Sequence, residues 1–217
     1  MNLKYYYWYF NKIIPERICD EILKLGLSRQ HRIATTGEIK EESLRGMSKE
    51  ARTQLKALKK KRDSYVVWLE ERWVWNLLQP CVRIANQQTG WNFEWDYSEP
   101  CQFTKYHKGQ YYGWHCDSWD KPYHAPGKPT HEKIRKLSTI LMLSDKKDYT
   151  GGDLEMNPRQ YDPEKKDQVK NQVLKVKELQ EKGSLVVFPS FVWHRVTPVT
   201  KGIRYSVPAW HLGSPWK

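Results

Sequence analysis

The 217-residue sequence predicts an α+β fold that is mainly β, with helices in the first 90 residues and strands in the remainder. Apolar residues recur at helical spacing in the first part, whereas the later sequence reads as short strand-like runs divided by Gly, Pro and Asp. Strands that follow a helical lead-in favour an antiparallel sheet folded into two layers. A double-stranded β-helix, or jelly roll, closes the edges of such a sheet and leaves a ligand cavity between its layers.

The first helix signal follows Pro15, which is expected just inside the helix start. Ile18, Ile22 and Leu25 recur on one face in this segment. Gly26 is predicted to end the helix, because glycine is the usual residue at a helix C-terminus.

Two further helices are predicted before residue 90. A basic helix is expected over about 48–61, after a polar segment from Thr35 to Ser48 that could form a loop over a site. The next is expected from Val67 to Gln88, with Pro80 starting a new turn or bending it.

Nine strand-like runs follow the helices. The runs are 91–98, 102–107, 111–117, 136–144, 152–156, 172–179, 183–189, 191–196 and 203–212. Residues 163–180 are rich in lysine and glutamate, and both a hairpin insertion and a short helix remain open for them.

The chain length favours a single domain over 1–217, since it is sufficient for one good-sized core. Residues 1–90 are expected to be mainly helical support and 91–217 to form the jelly-roll core. No apolar stretch approaches the roughly 20 residues needed to cross a bilayer, and the N-terminus lacks a signal-peptide cleavage pattern. We therefore expect a cytoplasmic protein that makes no membrane contact.

The formal net charge of +12 raises the question of a polyanionic partner. The basic residues concentrate in 48–63 and 163–182, where they are mixed with acids or glutamines. Such runs most often form solvated helices and loops. The sequence therefore leaves open both a polyanionic partner and a basic surface that contacts only solvent.

The four cysteines are scattered without C-x-x-C spacing, so neither a zinc site nor a disulfide framework is indicated. They are Cys19, Cys81, Cys101 and Cys116. We expect free thiols, with Cys116 pointing away from its neighbours His115 and Asp117 by strand alternation.

The most informative pattern is a histidine and a carboxylate two residues apart, with a second histidine far downstream. His115 and Asp117 lie in strand-like sequence, where alternation places both on one face. His194 lies in another strand-like run and can reach them only if the two strands are neighbours. Two imidazoles and one carboxylate with open positions suit a non-heme Fe(II) ion.

Ten residues beyond His194, Arg204 and Ser206 share one face of a mostly apolar run. An inward arginine there would be costly unless it met an anion. A guanidinium binds a carboxylate through two charge-assisted hydrogen bonds, and a serine hydroxyl can complete the site. His211, later in the same run, is predicted to face outward.

These residues resemble the prolyl-4-hydroxylase-like branch of the iron(II)- and 2-oxoglutarate-dependent oxygenases, especially short PKHD-type bacterial and phage proteins. The resemblance extends from about Gln102 to Trp210, half of the chain. It rests on Tyr106, Gly109, YGWHCD, RKLSTILMLSD, YTGGDLEM, GSLVVFPSFVWHRVTPVTKGIRYS and Trp210.

The resemblance implies roles for six side chains. His115, Asp117 and His194 would be the iron ligands. Arg204 would pair with the distal carboxylate of 2-oxoglutarate, supported by Ser206 and Tyr106. One departure concerns a further co-substrate tyrosine of some relatives, which is absent here, where the strand reads ILMLS around Met142.

The implied activity is hydroxylation of an unactivated C–H bond with Fe(II), 2-oxoglutarate and O2, releasing succinate and CO2, with ascorbate as a candidate reductant. The expected substrate is a prolyl or other amino-acid residue in a peptide or protein, although relatives also modify small molecules. A nucleic-acid-modifying oxygenase is one alternative, but its usual second arginine, six residues past the first, is replaced by Trp210. A non-catalytic jelly-roll binding module is the other alternative.

Overall fold

The computed structural model describes residues 3–35, 48–157 and 172–216. Within these ranges it contains three α-helices and fifteen strands. The predicted loop between Thr35 and Ser48 therefore lies almost wholly outside the described residues, as does the first half of the predicted 163–180 insertion. The described end of that insertion contains one short strand, Leu174–Lys175.

The second helix, α2 (Lys49–Lys61), forms where its sequence predicts it. Ser48 is the N-cap, and its hydroxyl accepts a hydrogen bond from the backbone N–H of Ala51 at 3.0 Å. Such a cap satisfies one of the N–H groups that a helix start leaves without an internal partner.

The first helix, α1 (Glu16–Leu27), begins after Pro15, which is its N-cap and not part of its first turn. The prediction that Gly26 ends this helix is wrong. Gly26 lies inside α1 and is buried, and a Cβ atom there would lie 2.3 Å from the ring of Phe103. The glycine is therefore needed for close contact between α1 and the sheet.

The third helix, α3 (Arg72–Gln88), starts later than the predicted helix from Val67. Val67 lies instead in the strand Tyr65–Leu69, which pairs with the strand Cys101–Tyr106. A short apolar run does not distinguish strand from helix, so hydrogen bonding to a distant strand decides the outcome. Pro80 lies inside α3 and starts no new helix.

The strands are numbered along the chain. They are β1 (Trp8–Phe10), β2 (Arg32–Ile33), β3 (Arg62–Asp63), β4 (Tyr65–Leu69), β5 (Tyr97–Ser98), β6 (Cys101–Tyr106), β7 (Tyr111–His115), β8 (Ile134–Met142), β9 (Tyr149–Gly151), β10 (Leu154–Asn157), β11 (Leu174–Lys175), β12 (Leu185–Pro189), β13 (Trp193–Val196), β14 (Val199–Gly202) and β15 (Arg204–Gly213).

These strands form one large sheet, one smaller sheet and a two-stranded ribbon. The large sheet has the order β1-β12-β8-β15-β6-β4-β2, with β5 attached to β15. The smaller sheet has the order β11-β10-β13-β7-β3, and β14 pairs with β9. All of these pairings are antiparallel.

The two main sheets face each other across a buried apolar layer. Ile140, Met142 and Phe188 of the large sheet share one cluster with Leu154 and Met156 of the smaller sheet. The opposite face of the large sheet is covered by α1 and α3. A second cluster joins Ile22 of α1 and Val74, Leu78 and Val82 of α3 to Val67, Phe103, Leu141 and Val207 of that sheet. The predicted mainly β architecture with supporting helices is thus confirmed.

The chain forms more strands than its local patterns predict. β1, β2, β3, β4, β9 and β14 were not expected, and two predicted strands shrink to the short β5 and β11. The predicted free thiols are confirmed, since all four cysteines are unpaired. Within the described ranges, none of the helices has the length and apolar character that a membrane crossing requires.

Candidate metal and co-substrate site

Two neighbouring strands of the smaller sheet bring the distant histidines together. His115 ends β7 and His194 lies in β13, and the two residues are directly opposed in the register of these strands. Their ring centroids are 4.1 Å apart. Asp117 follows β7, and its backbone N–H donates to the Ser190 carbonyl at 2.9 Å.

The carboxylate of Asp117 lies between the two imidazoles. Its Oδ1 is 3.7 Å from Nε2 of His115, and its Oδ2 is 3.5 Å from Nε2 of His194. One possible ligand atom from each of the three residues lies within 4.8 Å of the other two. His194 and Asp117 are buried, and His115 is partly buried.

Backbone carbonyls fix the orientation of both imidazoles. Nδ1 of His115 lies 2.8 Å from the Gly113 carbonyl oxygen, and Nδ1 of His194 lies 2.9 Å from that of Val192. A carbonyl oxygen only accepts hydrogen bonds, so Nδ1 carries the proton in each case. In the neutral rings, Nε2 then keeps a free lone pair directed at the same point, as a metal ligand requires.

The carboxylate is held in a similar way. The Ser138 hydroxyl lies in hydrogen-bond contact with Asp117 Oδ2 at 2.8 Å, and Ser138 contacts the hydroxyl of Ser190 at 2.9 Å. These contacts come from β8 and from the end of β12, so the large sheet orients a carboxylate that follows β7 of the smaller sheet.

The electrostatics favour the protonation states that metal binding needs. Burial and the neighbouring His194 lower the pKa of His115 to about 3. Burial alone would raise the pKa of Asp117, but attraction to His194 and His115 outweighs it and brings that pKa to about 2. At neutral pH, His115 is therefore neutral and Asp117 is ionised, each with a lone pair available.

A buried arginine lies in the facing sheet. Arg204 is 2 % exposed and is opposite Tyr106 in the pairing of β15 with β6. Its Nη1 donates to the Ser206 hydroxyl at 2.8 Å, and its guanidinium lies 5.5 Å from the ring centre of Tyr106. Its Nε has no hydrogen-bond partner among the described residues.

This incomplete set of contacts fits an anionic ligand. Burying a charge without an ionic partner is unfavourable, and arginine stays protonated in proteins. A carboxylate is the group that a free guanidinium edge binds best. The side chains present therefore fit one end of a dicarboxylate such as 2-oxoglutarate.

Arg204 lies in the same buried interior as the triad of His115, Asp117 and His194. Tyr106 belongs to a small buried cluster with Val196 of β13 and packs against Tyr112 of β7. The ring of Tyr112 in turn stacks on His115, with centroids 3.5 Å apart and planes 12° apart. Met142, where some relatives carry a tyrosine, is fully buried and opposes Ser206.

Sequence patterns did not indicate Arg62 as a neighbour of the site. It is buried in β3, donates to Ser64 and Gln102, and lies 4.5 Å from the ring centre of Tyr112. The pairing of the two-residue β3 with β7 brings it there. Because such a short strand has no periodicity, the sequence offered no signal for this contact.

A second arginine, Arg135, was also missed. Its guanidinium lies 3.9 Å from the ring centre of Trp210 and binds Glu99 through both Nε and Nη2, the latter at 2.5 Å. Burial acts to lower the pKa of Arg135, but attraction to Glu99, Tyr123 and Asp117 and the hydrogen bonds to Glu99 together outweigh it, so that pKa is raised overall. In the sequence, Arg135 stood out only as the first residue of the motif RKLSTILMLSD, and no separate role was predicted for it.

The prediction that His211 faces outward is wrong. It is completely buried, and its Nδ1 lies 2.9 Å from the Ser98 hydroxyl. Alternation along β15 places His211 on the same face as Val207 and Ala209, and the helices cover that face, so it is buried rather than exposed to solvent. Burial lowers the pKa of His211 to about 3.

The facing jelly-roll sheets, together with two imidazoles and a carboxylate around one point, define a candidate non-heme metalloprotein of the double-stranded β-helix class. A family model described as the 2OG-Fe(II) oxygenase superfamily matches residues 101–212, more than half of the chain. The chain belongs to this superfamily. Membership confirms the predicted family and indicates that Fe(II) and 2-oxoglutarate are its cofactor and co-substrate.

Curated relatives match about half of the chain. A PKHD-type hydroxylase of Bordetella pertussis is 33% identical over 112 residues, which is 51% of this chain and 42% of the relative. A PKHD-type hydroxylase of Acidovorax ebreus is 34% identical over the same length and the same shares. The aligned region thus spans less than half the length of these relatives.

Solved structures share the fold at low sequence identity. A viral collagen prolyl hydroxylase from Paramecium Bursaria Chlorella virus-1 matches with a TM-score of 0.62 and 17% identity, covering 97% of both chains. A Trichoplax adhaerens prolyl hydroxylase, solved with a hypoxia inducible factor peptide fragment, matches with a TM-score of 0.64 and 17% identity, covering 96% of this chain and 84% of that one.

Proposed function

We propose that this chain is an Fe(II)- and 2-oxoglutarate-dependent dioxygenase that hydroxylates an unactivated C–H bond. The single observation that carries the proposal is the convergence of His115, Asp117 and His194 in the same interior as the buried, incompletely paired Arg204. In the proposed reaction, 2-oxoglutarate and O2 are consumed, and succinate, CO2 and a hydroxylated product are released.

In this proposal the Nε2 atoms of His115 and His194 and the carboxylate of Asp117 hold the iron. Bound Fe(II) supplies the oxidising chemistry, in which decarboxylation of 2-oxoglutarate is coupled to insertion of oxygen into the C–H bond. The protein keeps the lone pairs fixed through Gly113 and Val192, so the ligands need little reorganisation when metal binds.

Arg204, Ser206 and Tyr106 would bind the distal carboxylate of 2-oxoglutarate. The free Nε of Arg204 supplies a donor, while Nη1 is already positioned by Ser206. The buried position of Arg204 excludes water, which strengthens its attraction for the carboxylate.

The proposed substrate is a prolyl or other amino-acid residue in a peptide or protein. The names of the PKHD-type relatives and of the prolyl hydroxylase structures support this choice, and one of those structures contains a peptide. An amino-acid or small-molecule substrate is the alternative to be separated by experiment.

The experiment is succinate release by purified protein with Fe(II), 2-oxoglutarate and O2, screened against peptides, amino acids and oligonucleotides. His194→Ala is expected to abolish release because it removes one metal ligand. His124→Ala, which changes an exposed loop histidine, is the matched control and should retain it. Full turnover by His194→Ala would refute the ligand assignment, and stimulation only by oligonucleotides would refute the substrate class.

A further inference from the structure

One side of α2 carries a line of basic side chains. These residues recur at intervals of three and four, which places them on the same side of a helix. The other side of α2 packs inward through the buried Ala51 and Leu58. We call the exposed set the α2 basic stripe; it consists of Lys49, Arg52, Lys56, Lys59 and Lys60.

The stability of the helix does not explain this stripe. Lysines in the last turn complement the helix dipole, which accounts for Lys59 and Lys60. Lys49 and Arg52 lie at the opposite end, where positive charge is unfavourable. Like charges at these spacings also repel each other. An arrangement that costs the helix stability is best explained by binding to something else.

Few acidic side chains neutralise the positive charges of the α2 basic stripe. In the part of the chain that the structure describes, its one ion pair joins Lys59 to Asp63 at 4.0 Å. Glu50 is the one acidic residue within α2, and it lies outside the stripe. Within the described residues, the positive charge of this surface is therefore largely uncompensated.

The C-terminal end of the stripe is attached to the strand that carries His115. The Tyr111 hydroxyl of β7 donates to the carbonyls of Lys59 and Lys60 at 2.9 and 3.1 Å. The chain then continues directly into β3, which pairs with β7. A molecule bound along α2 would thus lie beside the strand that contributes to the triad.

We propose that the α2 basic stripe docks an acidic segment of a polypeptide substrate whose target residue reaches the triad. This inference rests on the proposed function, because it names the substrate class of the same site. Residues 49 to 60 span about 16 Å of helix, which matches roughly five residues of extended peptide. The preferred substrate therefore carries a short run of Asp or Glu near the hydroxylated residue.

Polypeptide is favoured over single-stranded nucleic acid by the composition of α2. Proteins that bind single strands combine basic residues with aromatic side chains on which bases stack. The segment Lys49–Lys61 contains no aromatic residue. Its lysines attract carboxylates without offering a stacking surface.

The test measures binding of fluorescein-labelled peptides to the full chain by fluorescence anisotropy. One peptide carries a run of about six glutamates next to a Gly-Ser-Pro-Gly-Ser segment, and its match carries glutamines instead. We expect the glutamate peptide to bind about tenfold more tightly, with the difference falling as salt is raised. Equal binding of the two peptides would overturn the proposal without the need for any variant.

Two triple variants with equal loss of charge locate the effect. Lys49→Gln, Arg52→Gln and Lys56→Gln together should reduce affinity for the glutamate peptide about tenfold. Lys24→Gln, Lys146→Gln and Lys147→Gln remove three other exposed lysines and should change it by less than about twofold. Equal losses in both triples would show attraction by net charge alone and would overturn the proposal.

A charge-matched oligodeoxythymidine serves as the competing partner class. Tighter, stripe-dependent binding of this oligonucleotide than of the glutamate peptide would also overturn the proposal. All of these measurements use metal-free protein without 2-oxoglutarate. A failure of docking is therefore distinguishable from a failure of the oxygenase chemistry, which succinate release tests separately.

Discussion

Burial has opposite consequences for two basic side chains of β15. Arg204 keeps its charge in the interior, because the guanidinium does not lose its proton at any ordinary pH. It therefore needs an anionic partner, and its buried Nε has no hydrogen-bond partner among the described residues. His211 responds to burial by staying neutral, with a pKa of about 3; its Nδ1 lies in hydrogen-bond contact with Ser98, and its Nε2 has no partner among the described residues.

Replacing Arg204 by glutamine should weaken co-substrate binding more than it slows chemistry. A charge-assisted hydrogen bond contributes about 1.5–3 kcal/mol, so the 2-oxoglutarate concentration for half-maximal succinate release should rise roughly 10- to 100-fold. Arg195→Gln, which changes an arginine paired with Glu155, is the control and should leave this concentration unaltered. An unchanged half-saturation in Arg204→Gln would reject the proposed role.

His211 should make the metal-free protein less stable in acid. Its pKa is about 3 in the folded state and about 6.5 when unfolded, so below pH 6.5 the unfolded chain binds a proton that the folded chain does not. As the pH is lowered from about 6.5 towards 3, the free energy of unfolding should therefore fall by up to about 1.4 kcal/mol per pH unit. His115 contributes in the same direction, because its pKa is also about 3.

The measurement is denaturant unfolding of metal-free protein at several pH values between about 4.5 and 7. The free energy of unfolding of His211→Asn should depend less steeply on pH, because this variant takes up one proton fewer on unfolding. The exposed His124, changed to Asn, should leave the slope as in the wild type. An identical slope in His211→Asn would contradict the account.

At the scale of elements, predictability follows the strength of the local signal. α2 could be predicted because it has an N-cap serine, a long periodic pattern and basic residues in its last turn. β4 could not, because its five residues match both a strand and a helix start, and only pairing with β6 decides. Gly26 shows the same limit, since its contact with Phe103 depends on packing rather than on neighbours in sequence.

Adding a side chain at Gly26 should therefore separate α1 from the sheet. A Cβ atom there would overlap the Phe103 ring, so Gly26→Ala should destabilise the fold by about 1–3 kcal/mol even though alanine favours helices. Denaturant unfolding measures this, with exposed Lys24→Ala as the control. Phe103→Leu should recover part of the loss in the double variant, and a stabilised Gly26→Ala would contradict the packing argument.

At the scale of the whole molecule, the chain joins residues that no local pattern connects. The facing sheets and the meeting of His115 with His194 were expected from the order of the strands and from the resemblance to a family. Arg62 and the stack of Tyr112 on His115 were not, because they depend on the pairing of a two-residue strand. Long-range register thus sets the surroundings of the site, whereas its principal residue types could be recognised in the sequence.

The most direct measurement of the central claim is anomalous diffraction at the iron edge from a crystal grown anaerobically with Fe(II) and 2-oxoglutarate. The account predicts one iron peak about 2 Å from Nε2 of His115, Nε2 of His194 and a carboxylate oxygen of Asp117. It also predicts a carboxylate of 2-oxoglutarate against Arg204. An iron peak elsewhere, or a loaded triad with no co-substrate at Arg204, would contradict it.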